Sequence, residues 1–387
     1  MKNLVSIRDL PNQDLLRIFE LAEAFWRHRS ADPDQNVELA NQFIAAHGLG
    51  RPFTRDRVLA TLFFEPSTRT RLSFESAMHR LGGRVIGFSD ARTSSVSKGE
   101  TVADTIRMVS GYADIIAMRH PAEGSAFVGA CFATRPIINA GDGGREHPTQ
   151  CLLDLFTLQR ELGRIEGLKV GLLGDLRFGR TVHSLAQGLS RLGAEIICIA
   201  PESMRMPDRF VQFVEEATGR PPLEVVRPEE VIGELDALYV TRIQAERFED
   251  PDEYEAMKGM YIVDRRLMDQ ARDSCIIMHP LPRVDEVSTE LDGDPRSAYI
   301  RQSHYGVPVR MALMVLLLAS AAEDAAETGI PADPNPELAV AARPCDNPRC
   351  ILRVERSLPP RFFRSRDSSI RCGYCEAVPQ QRRLELR

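Results

Sequence analysis

Glu65-Pro66-Ser67-Thr68-Arg69-Thr70-Arg71 puts three hydroxyls and two guanidiniums into seven residues, directly behind an apolar run at residues 58–64. Phe74, Ala77, Met78 and Leu81 then recur at i, i+3, i+4 and i+7, and Gly82-Gly83 supplies residues that end a helix. The cluster therefore falls at a helix N-terminus behind a strand, where unpaired N–H groups and the positive end of the helix dipole favour a phosphate. Ser67, Thr68 and Thr70 add neutral donors, and Arg69 adds a planar, permanently charged fork. This recipe needs neither a metal nor a nucleotide. An ordinary Ser/Thr cap with solvated arginines accounts for Ser-Thr-Arg alone equally well. The whole string F-F-E-P-S-T-R-T-R-L-S-F-E is far more specific.

Further along, a strand-like run at residues 114–118 delivers Arg119-His120-Pro121 at its carboxyl end, where open α/β sheets place ligand groups. A strand at residues 136–139 leads through Gly141-Asp142-Gly143-Gly144 to His147-Pro148-Thr149-Gln150, ahead of a helix at residues 152–162. Taken singly, a histidine is more often a satisfied structural residue than a catalytic one. The segment from Gly174 to Thr181 approaches a nucleotide P-loop, but Arg180 stands where the lysine belongs and Asp175 would repel phosphates. Gly171, Gly174 and Gly179 also miss the G-x-G-x-x-G spacing of dinucleotide folds, so no catalytic cofactor is expected. Arg180 remains, at a helix N-terminus, ready for a carboxylate. Arg242 and Gln244 end a strand at residues 236–241; by composition alone Arg242 suits a surface salt bridge as well as a ligand. Together, Arg180 and Arg242 fit a dicarboxylic substrate, one bidentate pair to each carboxylate.

These groups need a scaffold. Residues 12–29 read as an amphipathic helix packed on the first domain, with Leu15, Ile18, Phe19, Ala22, Phe25 and Trp26 in one stripe, and residues 30–57 show no clear period. From about residue 163, apolar runs at 169–173, 194–200, 236–241 and 274–278 alternate with helix-length segments, as in a doubly wound parallel sheet. The expected fold is α/β, with two doubly wound parallel-sheet domains at residues 1–150 and 151–322 and a closing helix at 308–320 returning to the first. An acidic, Ala- and Pro-rich linker follows at 323–343, then a small C-terminal four-cysteine zinc module at 344–387. In that module Cys345-x4-Cys350 and Cys372-x2-Cys375 stand twenty-one residues apart, a spacing suited to a closed tetrahedral structural zinc site. About forty residues bury too little apolar area to fold unaided. Six arginines between the cysteine pairs (353, 356, 361, 364, 366 and 371) face only Glu355 and Asp367, which suits docking on the acidic remainder of the chain.

At 387 residues, 43% hydrophobic and 27% charged with a net charge of −6, the chain can bury two cores and argues against a chain-wide nucleic-acid surface. The late apolar run at 311–322 is too short to span a bilayer, and the N-terminus lacks a signal-peptide core, so no membrane and a cytoplasmic location are expected. Reducing conditions there disfavour disulfides.

The S-T-R-T-R string resembles the carbamoyl-phosphate site of the aspartate and ornithine carbamoyltransferases, and the likeness covers roughly residues 4–320. It implies that Ser67, Thr68, Arg69, Thr70 and Arg119 hold the phosphate. Thr70, Arg119 and His147 would polarise the carbonyl, while Gln150 and the backbone carbonyls of Pro280 and Leu281 hold the carbamoyl nitrogen. Met278-His279-Pro280-Leu281-Pro282-Arg283 has the form of the aspartate enzymes; the ornithine enzymes' cysteine-containing H-C-L-P and their S-M-G loop are missing. By that resemblance Arg180, Arg242 and Gln244 position aspartate. Ser94 and Lys98, in a polar loop at residues 92–100, reach a neighbouring subunit's site, which implies a homotrimer or higher homo-oligomer with shared active sites. The tail resembles the zinc domain of the family's separate regulatory chain without the effector-binding domain that normally precedes it. It is expected to fold on zinc and dock on the catalytic domains. It should leave catalysis intact and give no nucleotide feedback. The alternatives are transfer to ornithine or another amine, and a catalytically silent scaffold.

Overall fold

The computed structural model describes residues 2–243, 261–321, 329–330, 345–365 and 368–378. Gln244, all but residues 329–330 of the expected linker, Pro344, Arg366, Asp367 and residues 379–387 lie outside the described residues. Two compact units are present, and neither is one continuous segment. The first comprises residues 1–9, 21–146 and 310–387; the second comprises 10–20 and 147–309.

The first unit is built on a parallel sheet with strands β1 (Val58–Phe63), β2 (Arg84–Phe88), β3 (Ile115–His120) and β4 (Ile137–Asp142) in the order β2-β1-β3-β4. The chain leaves β1 towards β2 and then returns to the other side for β3. The carboxyl ends of β1 and β3 thus flank a topological switch point, where such sheets leave a crevice. Helix α1 (Asn12–His28) has the expected stripe, with Leu15, Ile18, Phe19, Ala22 and Phe25 buried. It does not belong to the first unit alone, because residues 10–20 group with the second, where Phe19 lies 5.9 Å from Phe156. Helix α2 (Pro33–Ala46) falls in the segment without a readable period: only Asn36, Ala40, Phe43 and Ile44 are buried, and one of these is polar, its amide donating to Arg80 O at 2.9 Å. Helix α3 (Thr68–Arg80) follows β1 as expected, and α4 (Val102–Ser110) is capped by the Thr101 side chain. Helix α5 (Ser125–Phe132) shows no amphipathic stripe, because every residue after Ser125 is apolar or glycine.

The second unit contains α6 (Pro148–Leu162), β5 (Lys169–Leu173), α7 (Arg180–Arg191), β6 (Glu195–Ile199), α8 (Asp208–Thr218), β7 (Leu223–Val225), β8 (Ala237–Val240), the short α9 (Arg265–Met268) and β9 (Ile276–Met278). Its sheet is parallel in the order β7-β6-β5-β8-β9, which places its switch point between β5 and β8. Both sheets carry near-continuous buried apolar strands, as parallel sheets covered on two faces require.

The closing helix α10 spans Tyr299–Ser320 rather than residues 308–320. Pro308 lies inside it, although proline's missing N–H and ring make it a first-turn residue by default. The division between units falls within this helix, after Val309. By length and composition α10 is able to cross a membrane, but 72% of its most apolar window is buried within the protein, as in a core helix.

Candidate active site

In the first unit, register does the positioning. Phe63 pairs with Arg119 across β1 and β3, and Phe64 N donates to Arg119 O at 2.8 Å, so the strand end bearing Arg119 sits beside the turn into α3. Ser67 is the residue before α3, with extended backbone, and its hydroxyl makes no capping bond. An ordinary cap would use that hydroxyl; here it is left available. Thr70 is buried in the first turn, while packing around Arg69 draws its pKa down from that of a free guanidinium. Arg69 makes no ion pair among the described residues. Sequence reasoning missed Glu65 as a partner: its Oε1 receives Arg119 Nη2 at 2.8 Å, orienting a guanidinium that is only 11% exposed. It also missed His120, whose Nδ1 accepts from Ala122 N at 2.9 Å and whose ring lies 4.8 Å from Phe64. Burial pushes the His120 pKa down to about 4, with the Glu65 charge opposing, so the ring is neutral at pH 7 and its proton is on Nε2.

The loop carrying Ser94 and Lys98 is two 3₁₀ turns. Ser94 caps the second, donating to Ala91 O at 2.8 Å and accepting from Val96 N at 3.3 Å, and Lys98 is exposed. Among the described residues, neither bonds to another candidate residue.

In the second unit, Arg180 opens α7 after β5, and Arg242 stands two residues beyond β8. These are the two strands of the switch point, joined at the top where Thr241 N donates to Leu173 O at 2.8 Å. Gly174 has φ +110° there, and a Cβ would lie 2.3 Å from Thr241 O, so only glycine permits this approach. Asp175 Oδ1 accepts from Arg177 N and Phe178 N and shapes the loop that presents Arg180.

His147 precedes α6, its N–H held by Ser184 Oγ at 3.0 Å and its Nδ1 3.4 Å from Thr149 Oγ1. Gln150 and the His279-Pro280-Leu281 segment meet through residues the sequence did not flag. Asp154, fully buried, accepts from Gln150 Nε2 at 2.8 Å, Gln302 Nε2 at 2.6 Å and Tyr239 OH at 2.9 Å. Gln302 Oε1 in turn accepts from His279 N at 2.9 Å. One N–H of the Gln150 amide goes to Asp154, which leaves its Oε1 as an acceptor and its second N–H as a donor. Leu281 is held at φ +55° by its N–H bond to His279 Nδ1, so His279 Nε2 carries the proton donated to Glu286 at 2.7 Å. Only α6's interior and the start of α10 could have signalled Asp154 and Gln302, as polar residues within buried helical faces.

The tail's four cysteines converge. Their Sγ atoms lie within 4.8 Å of one another, with Cys345–Cys375 at 3.5 Å and Cys350–Cys372 at 3.7 Å, and all four are buried and free of disulfides. Thiolates about 2.3 Å from one tetrahedral ion stand about 3.8 Å apart, so the set fits a closed metal site. Strands β10 (Phe362–Arg364) and β11 (Ile370–Cys372) pair antiparallel beside it, after the short helix α11 (Ile351–Val354). The tail is continuous with the first unit: Ile351, Leu352, Leu358, Phe362 and Tyr374 share one apolar cluster with Ile106, Met118 and Val128. Carboxylates of the tail make close polar contacts with the rest of the first unit. Glu376 reaches Arg145 and Arg8, each at 2.6 Å, and Glu355 accepts from Val102 N.

A parallel-sheet unit with hydroxyls and arginines at its switch point, followed by a second with two arginines at its own, offers groups suited to a phosphate in the one and to carboxylates in the other. The sequence matches the Aspartate/ornithine carbamoyltransferase carbamoyl-P binding domain over residues 2–160 and the Asp/Orn binding domain of the same family over residues 166–317, and the chain belongs to that family. The aspartate carbamoyltransferase catalytic subunit of Thermoplasma volcanium is 49% identical over 317 residues, spanning 82% of this chain and 98% of its own. That of Thermococcus onnurineus is 50% identical over 82% and 97%. Among solved structures, the catalytic subunit of M. jannaschii aspartate transcarbamoylase superposes with a TM-score of 0.72 at 44% identity, covering 84% of this chain and 100% of that one. The Trypanosoma cruzi aspartate transcarbamoylase in complex with N-(phosphonacetyl)-L-aspartic acid superposes with a TM-score of 0.72 at 38% identity, covering 83% and 96%.

Proposed function

We propose that the chain catalyses carbamoyl transfer from carbamoyl phosphate to L-aspartate, giving N-carbamoyl-L-aspartate and phosphate, a step of pyrimidine synthesis. The observation that carries the choice of acceptor is the pair of arginines, Arg180 and Arg242, at the β5/β8 switch point. Two guanidiniums there match two carboxylates, whereas a diamino acid such as ornithine would bring its side-chain cation towards them. Relatives near 50% identity that bear the aspartate enzyme's name support the same reading.

In this reading residues 1–150 form the carbamoyl-phosphate domain and residues 151–322 the aspartate domain. Ser67, Thr68, Arg69, Thr70 and Arg119 bind the phosphate; Thr70, Arg119 and His147 donate to the carbonyl oxygen as it gains charge. Gln150 Oε1 and the carbonyls of Pro280 and Leu281 accept from the carbamoyl NH₂. Arg180, Arg242 and Gln244 hold aspartate. The neutral α-amine attacks the carbonyl carbon, the bond to the bridging phosphate oxygen breaks, and phosphate leaves with the amine's proton. Positioning and charge stabilisation supply the rate, with no covalent nucleophile. Ser94 and Lys98 complete the site of an adjacent subunit in a cytoplasmic trimer. Cys345, Cys350, Cys372 and Cys375 bind structural zinc, whose thiolate bonds hold the tail's fold together.

A colorimetric carbamoyl-transfer assay with aspartate, ornithine and N-acetylornithine tests the proposal. Aspartate should be used in strong preference; preference for either other acceptor would overturn it.

A further inference from the structure

The tail meets the rest of the first unit at the loop that leads into His147. Residues 143–146 follow the last strand of that unit's sheet, and the charged side chains of Asp142 at the strand's end and of Arg145 and Glu146 in this turn form a buried cluster. Arg145, 9% exposed at its side chain, has Glu376 as its nearest partner at 2.6 Å; Asp142 lies at 3.5 Å and Glu146 at 4.0 Å. Arg8 bridges Glu376 at 2.6 Å and Glu146 at 3.4 Å. Asp142 in turn fixes backbone, accepting from Gly124 N at 3.1 Å and Glu146 N at 3.3 Å. The loop is gripped a second time, because Glu123 accepts from Gly144 N at 3.3 Å and from Asn347 of the tail at 2.8 Å. Shape agrees with charge: Gly124 has φ +88°, and a Cβ there would lie 2.7 Å from the Tyr374 backbone, so the two surfaces close without room for a side chain.

We propose that Glu376 is a positioning residue for carbamoyl transfer, holding Arg145 and through it the 143–146 turn that leads into His147. This rests on the reading of His147 as a carbonyl donor. Without Glu376, a buried guanidinium keeps only its more distant partners and must turn towards solvent or draw Asp142 from the two backbone N–H groups it holds. Either motion shifts the peptide next to His147. Displacements of about 1 Å in a reacting geometry lower turnover on the order of 100-fold. The tail therefore acts on catalysis, against the sequence-based expectation that turnover is indifferent to it.

The test uses the full chain purified with its metal. Glu376→Ala should keep the wild-type zinc content and thiol reactivity, lower kcat by roughly 10- to 100-fold with little change in the aspartate KM, and speed hydrogen exchange at the 141–147 amides. Glu376→Asp, which keeps the charge, should recover part of the turnover. A zinc-replete Glu376→Ala protein with kcat within about twofold of wild type and unaltered exchange at 141–147 overturns the proposal. Should Glu376→Ala lose its zinc, Arg145→Lys leaves the tail intact but cannot span Glu376 and Asp142 together. It should reproduce the kcat loss, and unchanged kcat there is equally fatal. His147→Ala, measured in parallel, separates the two readings: normal turnover in that variant would remove the underlying site assignment, whereas a damaged His147→Ala beside a normal Glu376→Ala removes only the role of Glu376.

Discussion

Asp154→Ala should unlatch the carbamoyl-nitrogen end of the proposed site from within the second unit's core. The carboxylate is fully buried and accepts from Gln150, Gln302 and Tyr239 at 2.6–2.9 Å. Each buried donor left without an acceptor costs roughly 1–3 kcal/mol, and three that share one partner are not additive, so about 3–5 kcal/mol is expected. Asp154→Asn makes the sharper comparison. Its Oδ1 still accepts from both glutamines, and its amide can donate to Tyr239 once the hydroxyl rotates, which leaves a loss of only about 1 kcal/mol. Local opening free energies from hydrogen exchange at β8 read both values. Because Gln302 also holds His279 N, Asp154→Ala should raise the carbamoyl-phosphate KM and lower kcat, while Asp154→Asn should retain most activity. If Asn proved as damaging as Ala, or if Ala cost less than about 1 kcal/mol, the latch account would be wrong.

Other consequences are as direct. Arg69→Ala should lose at least the ~3–4 kcal/mol typical of a missing oxyanion donor, read as a fall in kcat/KM with normal circular dichroism; near-wild-type turnover would refute the phosphate assignment. Mixing Arg69→Ala with Lys98→Ala subunits should restore some activity if sites are shared across an interface, and no recovery after verified exchange would count against sharing. The His120 pKa, depressed from 6.5 to about 4, means that the unfolded chain takes up a proton between those values while the folded one does not. Stability should therefore fall with acid through that window by roughly 3 kcal/mol from this group, and His120→Asn should be less acid-sensitive than wild type in urea titrations at about pH 7 and about pH 4.5. Metal analysis should return about one zinc per chain, and Cys372→Ser should abolish it.

The sequence alone determined the elements that alternate strongly or bind by local geometry. The S-T-R-T-R turn needs only a strand, a proline-led turn and a helix N-terminus, all contiguous, and the spacing of the cysteine pairs marks a cluster able to hold a metal. It failed where the information was spread. Helix α2 buries too sparse a stripe to show a period, and Pro308 reads locally as a start although α10's burial carries the helix through it. Tertiary structure alone decided which strand ends become neighbours. Arg119 joins Glu65 and the α3 turn because β1 pairs with β3, and Arg180 and Arg242 share a crevice edge because β5 pairs with β8, a strand far along the chain. It also set Asp154 under Gln150, Gln302 and Tyr239, and Glu376 against Arg145. Such partnerships leave no local trace, because a buried charge is satisfied by whatever the fold brings to it, and strand order follows from covering both faces of two sheets rather than from any short stretch of chain.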